Sequence, residues 1–260
     1  MYAPGIIDLE FTNSDIEFLV DRVLPFSKDR DLIRSAIRED QHLHDSIVSD
    51  DRVFHYVQDD DGILLKISAR LYFEVLLRKA HETMSSTGYT LELSEKNSIP
   101  VFDSGSVFEY LETPKILEYL AHMLSSFTKI QSLVIPIKTS RGVRRRIRFS
   151  DMDLDSLIKF FGIVGEDERF YYYKRIGDVC LFLKSLFQNH TPTTLNFSGL
   201  VHRSRRLKRS YEEYEIEDRR FYSLAEKHHS ASTLELGKIF SSLKNNFEIA
   251  KKPLQFIALH

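Results

Sequence analysis

Along most of the chain, apolar side chains recur every three or four positions, the spacing of an amphipathic helix rather than the alternation of a strand. Ile16, Leu19, Val20, Val23 and Leu24 form the first such stripe, and Pro25 ends it. A second helix is expected after Ser27, with Leu32, Ile33, Ala36 and Ile37 on one face, running on to Val48. A short helix follows Asp50 and carries Val53, Phe54 and Val57, and Asp59-Asp60-Asp61-Gly62 then reads as a turn. Leu64, Ile67, Leu71, Val75 and Leu76 mark a long apolar helix ending near Thr83. Thr113-Pro114 has the form of a helix start, with Ile116, Leu117, Leu120, Ala121, Leu124 and Phe127 following at helical spacing.

Two stretches depart from this rhythm. Thr90–Ser94 and Ile99–Phe102 predict a short hairpin around Glu95-Lys96-Asn97, and Ile130–Lys138 with Val143–Phe149 predict a second, turning at Ser140-Arg141-Gly142. From Ser150 the pattern is helical only. Leu154, Leu157, Ile158 and Phe161 form one stripe; Phe170, Tyr173, Ile176, Cys180, Leu183 and Phe187 form a longer one behind Glu166-Asp167-Glu168. Ser210 and Glu213 have the spacing of a capping box and place a helix start at Tyr211. Ser232 and Glu235 share that spacing, ahead of a last helix through Leu236, Ile239, Phe240, Leu243, Phe247 and Ala250 that Pro253 ends. The fold expected is mainly α: a multi-helix domain with two small β-hairpins over 1–149, then an all-helical domain over 150–260 with an Arg-rich loop at 202–209.

Composition supports a globular chain. Of 260 residues 42% are hydrophobic and 28% charged, enough apolar surface for a real core, which excludes collagen-like, coiled-coil and disordered classes. The longest apolar runs are five or six residues, such as Leu133–Ile137, against the roughly 18 needed to cross a bilayer. No basic segment precedes the first apolar stretch, which Asp8 and Glu10 interrupt, so no secretory signal is expected. The single cysteine, Cys180, cannot form an internal disulfide. A cytoplasmic protein without a membrane contact is the expectation.

The net charge of −2 hides a strong asymmetry. Residues 1–61 hold fifteen Asp/Glu against six Lys/Arg, whereas no acidic residue lies between Tyr119 and Ser150. That acid-free stretch carries Lys129, Lys138, Arg141, Arg144, Arg145, Arg146 and Arg148. A second cluster comprises Arg203, Arg205, Arg206, Lys208 and Arg209. A helix through it would crowd cations at the positive end of the helix dipole, and a start at Tyr211 avoids that. On a strand, Arg144, Arg146 and Arg148 share one face at intervals of about 6.6 Å, comparable with the spacing of charges along a nucleic-acid strand. These segments are the candidate polyanion contact, and the acidic N-terminal third is the competing internal partner. A helix followed by a hairpin occurs twice, as at the end of a winged helix, but Glu118, Tyr119 and Leu120 are poor readers of base edges.

Catalytic and metal constellations are sparse. His42 and His44 point about 200° apart on a helix and cannot share an ion; Asp51 and His55 at i, i+4 read as a surface pair; no metal site is expected. The sequence has no G-x-S-x-G, P-loop or G-x-G-x-x-G motif, so no cofactor is expected either. Arg38 and His44 are spaced as in the R-x(4–6)-H of the HEPN ribonucleases, to which this one feature is similar. That resemblance implies a helix on which the guanidinium would stabilise a phosphorane and the imidazole move protons; Glu39 departs from the small polar or His residue preferred there. The functional expectation is therefore a non-catalytic binding or adaptor protein contacting nucleic acid through its Arg segments. Its alternatives are a protein–protein subunit using the same residues on an acidic protein surface, and a metal-independent ribonuclease at Arg38 and His44.

Overall fold

The computed structural model describes residues 11–94, 97–128, 132–138, 144–186 and 210–259. Helices dominate, and two two-stranded antiparallel sheets interrupt them, which is the mainly α architecture expected. Contacts gather the chain into two compact units: one takes in the described chain up to Ser125 together with the segment from Lys252, the other Ser126–Lys251. The second hairpin thus groups with the helices that follow it, whereas the change of pattern after Phe149 points to a boundary at 149/150.

In the first unit, α1 (Asn13–Val23) opens on a capping box between Thr12 and Asp15. Asp15 is fully buried yet satisfied. Its Oδ2 accepts from the Thr12 amide at 3.0 Å and hydroxyl at 2.7 Å, and its Oδ1 from the Ser68 amide at 2.7 Å. One carboxylate therefore caps α1 and fixes the residue that caps α5 (Ala69–Ser86), where Ser68 Oγ accepts from the Leu71 amide. The single helix expected from Ser27 to Val48 is two, α2 (Arg30–Glu39) and α3 (Gln41–Val48). The break is Asp40, at φ −105° and ψ 104°, whose side chain accepts from the His42 and Leu43 amides. Leu32 is 73% exposed, and Ile37 is the buried anchor of α2.

Asp50 caps α4 (Asp51–Asp59), a 3-10 turn covers Ile63–Leu65, and the long apolar helix begins only at Ala69. Leu19, Val20, Ile47, Val53, Val57, Ile67 and Leu71 form the core of this unit. Each fully buried aliphatic side chain stabilises it by about 1.5–3 kcal/mol relative to exposure.

Strands β1 (Thr90–Ser94) and β2 (Asn97–Val101) pair with Thr90 opposite Val101. Helix α6 (Ser104–Leu111) follows, burying Val107, Tyr110 and Leu111. Its Ser- and Gly-rich first turn hid it from the periodicity reading. Helix α7 (Ile116–Ser126) starts later than Pro114, because Lys115 takes a left-handed φ of 64° and turns the chain so that Ile116 is buried.

In the second unit, β3 (Ser132–Lys138) pairs with β4 (Arg144–Ser150), and α8 (Leu154–Phe161) and α9 (Glu166–Leu186) follow. Helix α10 (Tyr211–Lys227) begins where the capping box placed it: Ser210 Oγ accepts from the Glu213 amide at 3.2 Å, and Glu213 Oε2 from the Ser210 amide at 2.6 Å. The Ser232–Glu235 box does not form. Those residues end α11 (His229–Thr233), where Glu235 at φ 56° donates its amide to Ser232 O and Leu236 donates to Ala231 O. This is a Schellman end with Glu in the place usually held by Gly. Helix α12 (Gly237–Asn245) follows, and Pro253 lies inside α13 (Phe247–Leu259) instead of ending it. The roughly 3 kcal/mol cost of an interior proline is offset by burial of Leu254 and Ile257. Lys252, also buried, reaches Asp103 Oδ2 at 3.2 Å and so ties the chain's last segment into the first unit.

Candidate functional site

The register of the second hairpin fixes which residues lie opposite one another. Val134 lies opposite Arg148, Pro136 opposite Arg146 and Lys138 opposite Arg144. At the intervening positions Leu133 lies opposite Phe149, Ile135 opposite Ile147 and Ile137 opposite Arg145. Because successive strand positions alternate between faces, the register puts Lys138, Arg144, Arg146 and Arg148 on one face of the ribbon together with Val134 and Pro136. Leu133, Ile135, Ile137, Ile147 and Phe149 fall on the other together with Arg145. Arg141 and the cluster Arg203, Arg205, Arg206, Lys208 and Arg209 lie outside the described residues.

The acidic N-terminal third has partners within its own unit. Asp21 pairs with Arg30 at 2.7 Å, Asp45 with Arg78 at 2.7 Å, Asp50 with Arg52 at 2.7 Å, Asp51 with Lys79 at 2.9 Å and Asp60 with Lys66 at 2.5 Å. Glu17 also pairs with Arg34. The Lys66 ammonium bonded to Asp60 lowers that carboxyl below its usual range, and Arg52 does the same for Asp50. For Asp45, burial opposes ionisation, but Arg78 and the bonds from His44 and Gln41 outweigh it and the carboxyl is lowered.

Arg38 and His44 fall on different helices, separated by the break at Asp40, whereas the ribonuclease resemblance requires one helix. The Arg38 guanidinium donates to Asn13 Oδ1 at 2.5 Å. His44 stacks on Phe11 with centroids 4.7 Å apart, and its Nδ1 lies 3.1 Å from Asp45 Oδ1. The two side chains are thus held by different partners.

Two polar centres escaped the sequence reading. In the first unit the fully buried Glu74 accepts from Arg70 at 3.3 Å and Arg78 at 2.9 Å, and Arg78 continues to Asp45. Gln41 adds bonds to Asp45 at 2.8 Å and Glu118 at 3.3 Å, so α3, α5 and α7 share one network. Arg70, Glu74 and Arg78 stand at i, i+4 and i+8, a ladder visible in the sequence although its burial is not.

In the second unit Arg175 is buried over the Phe127 ring, 4.2 Å from its centroid, and donates to Asp151 Oδ2 at 2.6 Å and Ser126 Oγ at 2.7 Å. Nearby, Tyr222 donates to Asp178 Oδ1 at 2.9 Å and Lys174 to Asp178 Oδ2 at 2.6 Å. Burial pushes the Tyr171 hydroxyl up to about 12. These are internal braces: removing one member of a buried pair strands the other charge, at a cost of about 3–5 kcal/mol.

Among the described residues no group of three or more His, Cys, Asp or Glu side chains is placed to hold a metal, and no helix is long and apolar enough to cross a membrane. Cys180 is buried on α9. Compared with known proteins, the chain matches no family model, no curated protein and no solved structure.

Proposed function

We propose that the protein is a non-catalytic, cytoplasmic binding protein whose second hairpin contacts a polyanion, nucleic acid in the first instance. The observation that carries this reading is the strand register, in which Lys138, Arg144, Arg146 and Arg148 fall on one face of the ribbon, while the other face is apolar apart from Arg145. The internal pairing of the acidic third adds support, because Asp21, Asp45, Asp50, Asp51 and Asp60 already have cations of their own unit. In this reading the second cluster, Arg203 to Arg209, which directly precedes α10 in sequence, is a further segment of the contact.

Fluorescence anisotropy with labelled single-stranded and duplex oligonucleotides tests the proposal. Log affinity should fall linearly with log salt, with a slope of roughly −0.7 to −0.9 per phosphate contacted. Combined substitution of Arg144, Arg146 and Arg148 by Ala should abolish binding and leave the melting temperature unchanged. Absence of binding at low salt would sink the nucleic-acid reading. Saturable binding to an acidic protein, with none to either oligonucleotide, would move the same residues to a subunit interface.

A further inference from the structure

The α9–α10 seam of the second unit contains a carboxyl group with no counterpart. Asp218 on α10 is fully buried, and neither carboxylate oxygen meets a hydrogen-bond donor. The seam is closed unusually tightly there. A Cβ built on Gly177 of α9 would lie 2.8 Å from the Tyr222 ring, so the ring rests directly on the α9 backbone and only Gly admits it. Tyr222 itself is fully buried and gives its hydroxyl to Asp178.

We infer that Asp218 is a buried proton-binding site, and that α10 closes on α9 in this way only while the site is occupied by a proton. The surrounding charges require it. From α9, Asp178 faces Asp218 with the same sign, and its own compensation is Lys174. On α10, Glu215 and Arg219 act on Asp218, but the Arg219 guanidinium is bonded to Glu215 at 2.9 Å. Helix α12, which also packs on α10, buries Ile239, Phe240 and Leu243, and its Lys244 pairs with Glu226. In this set only Arg219 opposes the negative charges acting on Asp218, and it gives Asp218 no hydrogen bond. A metal ion would find one buried carboxylate there, since both oxygens of Asp178 already accept hydrogen bonds. The proton is the cation that a single carboxylate can hold without further ligands. Burial, with the charge of Asp178 added, raises the Asp218 carboxyl well above its usual range.

The direction of the pH effect follows. An unfolded aspartate ionises near pH ~4, while the folded one retains its proton to higher pH. The folded state therefore binds one more proton in between, and stability contributed by the closed seam falls as pH rises above about 4. Each pH unit in that window lowers the folding constant about tenfold.

Denaturant titrations of wild type and Asp218→Asn between about pH 4 and pH 8 test the inference. The amide mimics the neutral acid, so the two proteins should match near pH 4 and separate about tenfold per unit above it, with the variant the more stable. Infrared spectra of wild type labelled with ¹³C-aspartate give a reading that needs no variant. A protonated carboxyl band should persist above pH ~4, where a free aspartate is ionised, and disappear on further alkaline titration. Parallel pH profiles together with no such band would overturn the proposal. Stabilisation of wild type by added Mg²⁺ or Ca²⁺ at pH 8, lost in Asp218→Asn, would overturn it in favour of a metal site.

Discussion

Single residues show where local chemistry and tertiary demand disagree. Glu235 reads as the N3 partner of Ser232, because Ser-x-x-Glu is a capping box by spacing alone. The structure uses the same residues to end α11, with Glu235 at φ 56° and Leu236 buried beyond it. The left-handed region costs a non-glycine residue roughly 1–2 kcal/mol, and a glycine there gives back roughly 0.5–1 kcal/mol through the freedom of the unfolded chain. Glu235→Gly should therefore stabilise the protein by about 0.5–1 kcal/mol, read as a higher denaturation midpoint. A lower midpoint would mean that the Glu235 side chain contributes more than its backbone strain removes.

At the scale of elements, what was legible was local. Ser210 and Glu213 started α10 as read, because both partners of that cap lie within one turn. Both hairpins appeared within a residue or two of their expected strands, since β-branched runs and turn residues are contiguous signals. The break at Asp40 was hidden by apolar spacing that continues across it, and Pro253 was overridden by burial on both sides. The polar seam between α9 and α10 was not legible at all: Asp178 and Tyr222 are 44 positions apart, and nothing in either neighbourhood announces the other. The same is true of Gly177, an unremarked residue in the middle of a long helix. Gly177→Ala should destabilise by about 1–3 kcal/mol, as overpacking does, because its new methyl meets three atoms of the Tyr222 ring within 3.0 Å. Gly105, on α6, has nothing within 4 Å of its virtual Cβ, so Gly105→Ala should gain up to about 1 kcal/mol in helix propensity. Thermal denaturation of the pair checks both signs; a neutral Gly177→Ala would show that the seam yields easily.

Across the whole molecule, the most strongly placed carboxyls of the two units shift in opposite directions. In the first, Asp50 and Asp60 are lowered by Arg52 and Lys66, and Asp45 by Arg78 in spite of its burial. A carboxyl lowered on folding stabilises above its unfolded value, and that contribution is lost as pH falls through the folded value. Partly solvated pairs are individually small, but these three act in the same direction within one unit. In the second unit Asp218 is raised, so its contribution runs the other way and is lost as pH rises. Glu226, lowered by Lys244, is the partial counterweight there. Hydrogen exchange followed peptide by peptide, corrected for the intrinsic pH dependence of amide exchange, should separate the two responses. Peptides from α3, α4 and α5 should lose protection first on acidification, and those from α9 and α10 first on alkalinisation. Simultaneous loss in both units at either extreme would mean that they unfold as one cooperative block, and the opposed carboxyls would then set only its overall stability. Separate loss would place the basic hairpin, which belongs to the second unit, on a scaffold that acid leaves closed, so oligonucleotide binding should survive to lower pH than the protection of α3 does.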